Sequence, residues 1–417
     1  MKVLFIHPNF PGQFRHLAND LAAQPGNQIV GMGENDQIVR QQHLTKNVAL
    51  WGYRLSRAPS ASTHHYVRQI ERDVLRGQAA LRKCLELRQR GFVPDIICAH
   101  AGWGDLLYIR EVFPNTRIVG YFEFYFLSKG ADIGFDPEFP TTLDNHCEVH
   151  TKNMTHLLSW QSCDHGWSPT NWQASLFPEA YRPRITVIHE GVDTTRLCPD
   201  PAASFQLADG RTLTRNDEVI TLINRNMEPY RGFHVFMRTL PEIQRRRPNA
   251  HTVIVGDDQD VSYGNRPPDG RTWRQVLLDE TGGNLDLQRI HFVGQLEFER
   301  YRQVLQISSA HLYLTYPYIL SWSMVEAMSC ACLLIASNTP PVAEIVRDGE
   351  NGLLFDFFDR KKLADLVCDA LANPQNHASL RLNARTTVLE SYDQRSICLP
   401  RQRQLIESLL TSQPRFM

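Results

Sequence analysis

A chain of 417 residues is too long for one ordinary hydrophobic core, so two domains of about 200 residues each are expected. With 44 basic and 45 acidic residues the formal net charge is -1, which excludes a global electrostatic pull toward nucleic acid or acidic polymers. The composition (42% hydrophobic, 21% charged) is that of a soluble globular protein, and the nine cysteines without a CxxC pair suit a reducing, cytoplasmic compartment better than a disulfide framework.

The N-terminal run KVLFI (2–6) is too short for a signal peptide and reads as a strand. It leads into HPNFPGQFRHL (7–17), where Gly12 permits close backbone approach and a helix starts near Gln13, leaving free N–H groups for an anion. Residues 67–90 form a long helical pattern with Arg68, Arg72, Arg76, Arg82, Lys83, Arg88 and Arg90 around an apolar stripe. A solvated basic side accounts for it better than peripheral docking to anionic lipid. DIICA (95–99) ends beside His100 and a flexible Gly-Trp-Gly, and RIVGYF (117–122) ends at Glu123 among aromatics. A carboxylate so placed is desolvated, and its pKa rises unless it is paired. RITVI (184–188) follows, then a polar segment with Pro and Gly, 197–218, that reads as the domain boundary.

Beyond it, VITLI (219–223) runs into NRNMEPYRGF, which sets Arg225 and Arg231 at a strand end as a fork for phosphate oxygens. HTVIVG (251–256) leads to Asp258 and Asp260, which read as solvated carboxylates rather than a metal site. IHFVG (290–294) ends at Gly294, whose backbone is open to the edge of a base. HLYLTY (311–316) precedes YPYILSWSMVEAMSC (316–330), in which Ser323 and Glu326 have capping-box spacing for a helix over 324–330. CLLIAS (332–337) and GLLF (352–355) complete the strands, and helical patterns occupy 361–373, 377–390 and 397–411. Continuous β-branched runs without alternation, joined by helices, predict α/β architecture with doubly wound parallel sheets, twice over. The predicted domains are 1–200 and 201–394, with a C-terminal helical element (about 395–417) crossing back onto the first.

In this order, PGQF, VIHEGVDTTRLCP (187–199), RNMEPYRGF, HFVGQL and SMVEAMSCACLLIASNTPPVAEIVRDGENGLLF resemble the retaining GT-B glycosyltransferases of family 4. The resemblance implies two Rossmann-like domains facing across a cleft, a nucleotide-sugar donor held mainly by the second, and a glycan or lipid-linked acceptor. It also implies no metal and no cofactor. Glu326 would hold the donor ribose, with Ser321, Trp322, Ser323 and Met324 at the helix start near the diphosphate. Arg225 and Arg231 would match the family's diphosphate-binding Arg and Lys. UDP-glucose is the expected donor, by family frequency.

The chain also departs from the family. Tyr318 stands eight residues before Glu326, where the family usually carries a Glu, and Tyr-Phe-Glu-Phe (121–124) occupies a segment that often carries a His. The candidate catalytic residues are therefore Glu123, His100 and Tyr318. An epimerase or hydrolase on the same scaffold, or a nucleotide-sugar-binding protein without turnover, are the alternatives.

Overall fold

The computed structural model describes residues 1–411; positions 412–417, the end of the predicted C-terminal element, lie outside the described residues. The chain forms two compact units, residues 1–191 with 394 onward, and residues 192–393. Among the described residues no helix is long and apolar enough to cross a membrane.

The first unit is built on seven parallel strands: β1 (Lys2–Ile6), β2 (Gln28–Glu34), β3 (Ala49–Tyr53), β4 (Ile96–His100), β5 (Arg117–Tyr121), β6 (His165–Ser168) and β7 (Ile185–Val187). Their order is β3-β2-β1-β4-β5-β6-β7. Val3 and Phe5 of β1 join one core with Leu17, Leu21, Leu399 and Ile406, whereas Leu4 and Ile6 join another with Ala80, Cys84 and Leu87. Successive strand residues point to opposite faces, and both faces are covered, which is why the run shows no polar alternation.

β2, β3 and β6 escaped the reading of the sequence, and each carries a glycine where close packing leaves no room for a side chain. A Cβ on Gly31 of β2 would lie 2.2 Å from the Phe10 ring, and one on Gly33 would lie 2.5 Å from the His7 carbonyl. Glycine depresses the strand signal while permitting the approach.

The second unit repeats the plan with β10 (Val219–Asn226), β11 (His251–Asp257), β12 (Ile290–Gly294), β13 (Ala310–Tyr313), β14 (Leu334–Ser337) and β15 (Leu353–Phe355), in the order β12-β11-β10-β13-β14-β15. The segment read as a linker is structured instead. An antiparallel hairpin, β8 (Ser204–Gln206) with β9 (Thr212–Thr214), buries Phe205, Leu207 and Leu213 in this unit's core. The chain leaves the first unit at Gly191, ahead of that segment. Gly191 has φ +89°, and a Cβ there would lie 2.7 Å from Cα of Gln394, where the chain returns.

One reading of the long helix, His65–Gln89, needs correction. Arg76 is buried, donating to Glu34 through Nε (2.8 Å) and Nη2 (2.7 Å) and to the Trp103 carbonyl through Nη1 (2.8 Å). Arg68, Arg72, Arg82 and Arg90 are exposed.

The C-terminal helix, Leu399–Thr411, packs on the helix Arg15–Ala22 of the first unit, with Arg403 Nη1 on Asp20 at 2.8 Å. Ile406 is 2% exposed in the core shared with β1. Replacing it with Ala should destabilise the first unit by about 2–5 kcal/mol, the usual cost of a buried aliphatic truncation. Urea unfolding, followed by tryptophan fluorescence, measures that loss.

Candidate active site

In the first unit the loops after β1, β4 and β5 bring three of the predicted residues together. His100 Nδ1 accepts the N–H of Gly102 at 3.1 Å, so the neutral ring carries its proton on Nε2, which faces Glu123 Oε2 at 3.4 Å. Gln13 Nε2 donates to the other oxygen, Oε1, at 2.8 Å. Glu123 is thus paired, as its aromatic surroundings demanded, and its side chain keeps 19% exposure while His100 keeps 3%. Gln173 Nε2 holds the Glu123 carbonyl at 2.6 Å and fixes the backbone beneath the carboxylate.

His7, which the sequence did not single out, packs edge-on against His100 with ring centroids 5.2 Å apart. Burial, with His100 adding to it, holds the His7 pKa well below the usual imidazole value, so this ring is neutral. Gly12 has φ +46°, and a Cβ there would lie 2.9 Å from the His7 ring. Glycine at position 12 is therefore required by the packing of His7. Glu190, part of HEGVD, is buried and accepts a hydrogen bond from Tyr121.

In the second unit the two arginines do not form a matched pair. Arg225 is exposed and makes no hydrogen bond or ion pair among the described residues. Arg231 is buried instead, with Nη1 donating to Thr315 Oγ1 (2.8 Å) and the Ile319 carbonyl (2.9 Å), and its guanidinium 5.3 Å from the centre of the Tyr263 ring. Glu228 lies between them, a residue the sequence reading passed over. Its Oε2 accepts the backbone N–H groups of Ser262 (2.6 Å) and Tyr263 (3.0 Å), while Oε1 is sealed without a partner among the described residues.

The helix that was expected to begin at residue 324 spans Trp322–Ser329 and is capped by Ser321, whose side chain accepts the Ser323 N–H. The capping box does not form. Ser323 Oγ donates to the Ile223 carbonyl at 3.4 Å, and Glu326 Oε2 accepts from the Tyr301 hydroxyl. Glu326 is half-buried, and burial raises its pKa against the opposing Tyr301 bond. Its Oε1 has no protein partner among the described residues.

Trp322 is 44% exposed, whereas the side chains of Ser323 and Met324 are buried. Tyr318 is buried against Tyr263 (4.7 Å between ring centres) and Tyr230 (5.6 Å). Gly294, with φ +67° and open space where a Cβ would stand, lines a cavity of about 270 Å³ with Met227, Asp258, Arg274 and Phe292. Asp258 pairs with Arg274 (2.8 Å) and Asp260 with Arg266 (2.6 Å), so neither carboxylate is unpaired.

The model of the Glycosyl transferase family 4 group matches residues 25–197, and that of Glycosyl transferases group 1 matches residues 206–387. The chain belongs to the family 4, group 1 glycosyltransferases. This glycosyltransferase has the GT-B fold: its structure aligns with sucrose-phosphate synthase from Thermosynechococcus elongatus (TM-score 0.72, 16% identity, 99% of this chain and 100% of that one). It also aligns with Anabaena HepE in complex with UDP and glucose (TM-score 0.67, 15% identity, 99% and 100%). In sequence it is 24% identical over 230 residues to the GDP-mannose-dependent alpha-(1-6)-phosphatidylinositol monomannoside mannosyltransferase of Mycolicibacterium smegmatis, spanning 54% of this chain and 58% of the relative. A D-inositol 3-phosphate glycosyltransferase of Rhodococcus jostii is 26% identical over 204 residues, spanning 48% of this chain and 42% of the relative.

Two expectations follow for this glycosyltransferase. Burial raises the Glu228 pKa from its ordinary 4.5 to about 7, against the two backbone N–H bonds that lower it. The folded state thus binds this proton more tightly than the unfolded chain. The resulting stability is complete below the ordinary value and is lost as pH rises through 7. Buried Asp73 and Asp105, both raised to about 6, act in the same direction at lower pH. Unfolding free energy should fall between pH 5 and pH 8, with up to about 3 kcal/mol from Glu228. Glu228→Gln should remove the part of that slope above pH 6, as measured by denaturation across the pH series. Glu326→Gln, in turn, should weaken nucleoside diphosphate binding by about 1.5–3 kcal/mol, the value of a hydrogen bond to a charged group. Calorimetric titration with the free nucleotide tests it, and unchanged affinity would remove Glu326 from the ribose.

Proposed function

We propose that this glycosyltransferase is a retaining hexosyltransferase that moves a hexose from a nucleoside diphosphate donor to an acceptor hydroxyl, with Glu123 as the base. The observation that carries the reading is the Glu123 carboxylate, held from one side by Gln13 and from the other by His100, with part of its surface open. Two side-chain partners orient the carboxylate and leave a lone pair on each oxygen for a ligand, as a general base needs.

The acceptor oxygen forms its bond to the anomeric carbon as the bond from that carbon to the diphosphate oxygen breaks. The electron pair leaves with the diphosphate, and the acceptor proton goes to Glu123. Attack from the face that the diphosphate leaves keeps the anomeric configuration. Negative charge grows on the departing oxygen, and the free guanidinium of Arg225 with the N–H groups opening the helix Trp322–Ser329 is suited to stabilise it. Asp258 and Asp260 are matched by arginines, which favours a donor site that works without a metal.

GDP-mannose is the favoured donor, because the sequence relative aligned over 230 residues is GDP-mannose-dependent. UDP-glucose is the second reading, favoured by the fold neighbour that holds UDP and glucose. Thermal shift with GDP-mannose, UDP-glucose and ADP-glucose separates them: a cognate donor at 100 times its Kd adds about 2.7 kcal/mol of stability.

With that donor, Glu123→Gln should lower the transfer rate by about 10²–10⁴, the worth of a positioned base. Tyr318→Phe should cost only about 0.5–1.5 kcal/mol of transition-state stabilisation, one neutral hydrogen bond. A crippled Tyr318→Phe beside a healthy Glu123→Gln would move the chemistry to the second unit. Proton NMR of the product's anomeric position reads retention directly.

A further inference from the structure

The loop after β4 is pinned at almost every residue. The Ala101 N–H donates to the Tyr121 carbonyl at 3.0 Å, and the Ala101 carbonyl accepts from Ser159 Oγ at 2.9 Å. Gly102 donates to His100 Nδ1, and a Cβ on Gly104 (φ +92°) would lie 2.2 Å from the Asp73 carbonyl oxygen. Asp105 is fully buried and accepts from the Tyr53 hydroxyl, and Leu106 is fully buried.

Within this loop only the side chain of Trp103 turns outward, 39% exposed. Its backbone carbonyl is held by buried Arg76, which Glu34 in turn holds, so a charge-assisted bond fixes the residue that carries the exposed indole. The indole Nε1 has no partner among the described residues. An outward-facing indole on a pinned backbone, with the Arg76 guanidinium 6.0 Å from its ring centre and a free donor, offers a ligand a broad apolar face and one hydrogen bond at small cost in side-chain freedom.

What lands there follows from the neighbours. His100 touches both ends of the arrangement, with its ring 5.9 Å from the Trp103 ring and its Nε2 3.4 Å from Glu123. A molecule lying on the indole with a hydroxyl on Glu123 therefore has to be compact. It needs an aliphatic C–H face for the π surface and hydroxyls around its edge for Nε1–H and for Glu123. A cyclic polyol has that shape, whereas an acyclic lipid alcohol or a peptide hydroxyl has no such face.

We propose that Trp103 is the acceptor platform and that the acceptor presents a pyranose or inositol ring, stacked on the indole with one hydroxyl directed at Glu123. The inference rests on the assignment of Glu123 as the base but is testable apart from it. Protein labelled with 5-fluorotryptophan, with the Trp103 resonance assigned by its loss in Trp103→Phe, is titrated with methyl α-D-mannopyranoside and with myo-inositol. The Trp103 signal should shift saturably with at least one of them, whether or not the protein turns over. A signal unmoved by both overturns the platform.

Transfer assays with GDP-mannose and UDP-glucose on an array of immobilised glycosides and inositols supply the second arm. Trp103→Ala should raise the acceptor KM at least tenfold with the donor KM unchanged, and Trp103→Phe should recover most of the loss. A rise in donor KM instead, or transfer only to an acyclic alcohol, overturns the inference. Absence of turnover with a shifting fluorine signal would overturn the transferase reading and leave the platform standing.

Discussion

Both units obey one constraint: a parallel sheet covered on two faces admits a polar side chain along its strands only where a neighbour pairs it, as His311 pairs Thr221. Polar groups collect at the carboxyl ends, and most of all where the strand order reverses, because there the connections diverge and leave a crevice. In the first sheet that point lies between β1 and β4, and in the second between β10 and β13. Gln13 follows β1 and His100 ends β4; the turn carrying Glu228 and Arg231 follows β10, and Thr315 follows β13. The chemistry sits where the sheets allow it.

Placing charge at such a point carries a desolvation cost, and the two units meet it differently. Around Glu123 the compensation comes from side-chain donors, Gln13 and His100, which satisfy one lone pair on each oxygen and leave the rest available. Around Glu228 two backbone N–H groups share one oxygen and the other is sealed, and burial outweighs those two bonds, so the carboxyl holds its proton to higher pH. The first arrangement suits a group that exchanges a proton with a ligand. The second suits one that braces a loop, here the segment carrying Tyr263.

The turn between Arg225 and Arg231 illustrates how local geometry redirects a motif. The turn Pro229–Arg231 is followed by Gly232 at φ +67°, where a Cβ would lie 2.2 Å from Cβ of Leu314. That close approach turns Arg231 inward onto Thr315 and the Ile319 carbonyl, and Arg225 alone faces solvent. Tyr318, in the place of the usual Glu, then packs with Tyr230 and Tyr263 beside the Arg231 guanidinium. An uncharged ring is compatible with that packing, whereas a carboxylate would lose its hydration there.

The apolar runs by themselves determined the architecture. Ten of the strands could be read from KVLFI to GLLF, because two-sided burial leaves an unbroken hydrophobic run that a sequence displays directly. Glu123, His100 and Gln13 were also legible, as polar residues just past such runs. Their mutual hydrogen bonds were not, because Gln13 and Glu123 are 110 residues apart and only the sheet order brings them together. The same holds for Arg76, which looks like any other basic residue on its helix until Glu34 and the Trp103 carbonyl close around it. Ser323 carried the spacing of a cap, yet the backbone gave that place to Ser321 and sent Glu326 to Tyr301. Periodicity is a property of neighbours in the chain, so sequence reveals it; hydrogen-bond partners are chosen by proximity in space, and only the folded chain could assign them.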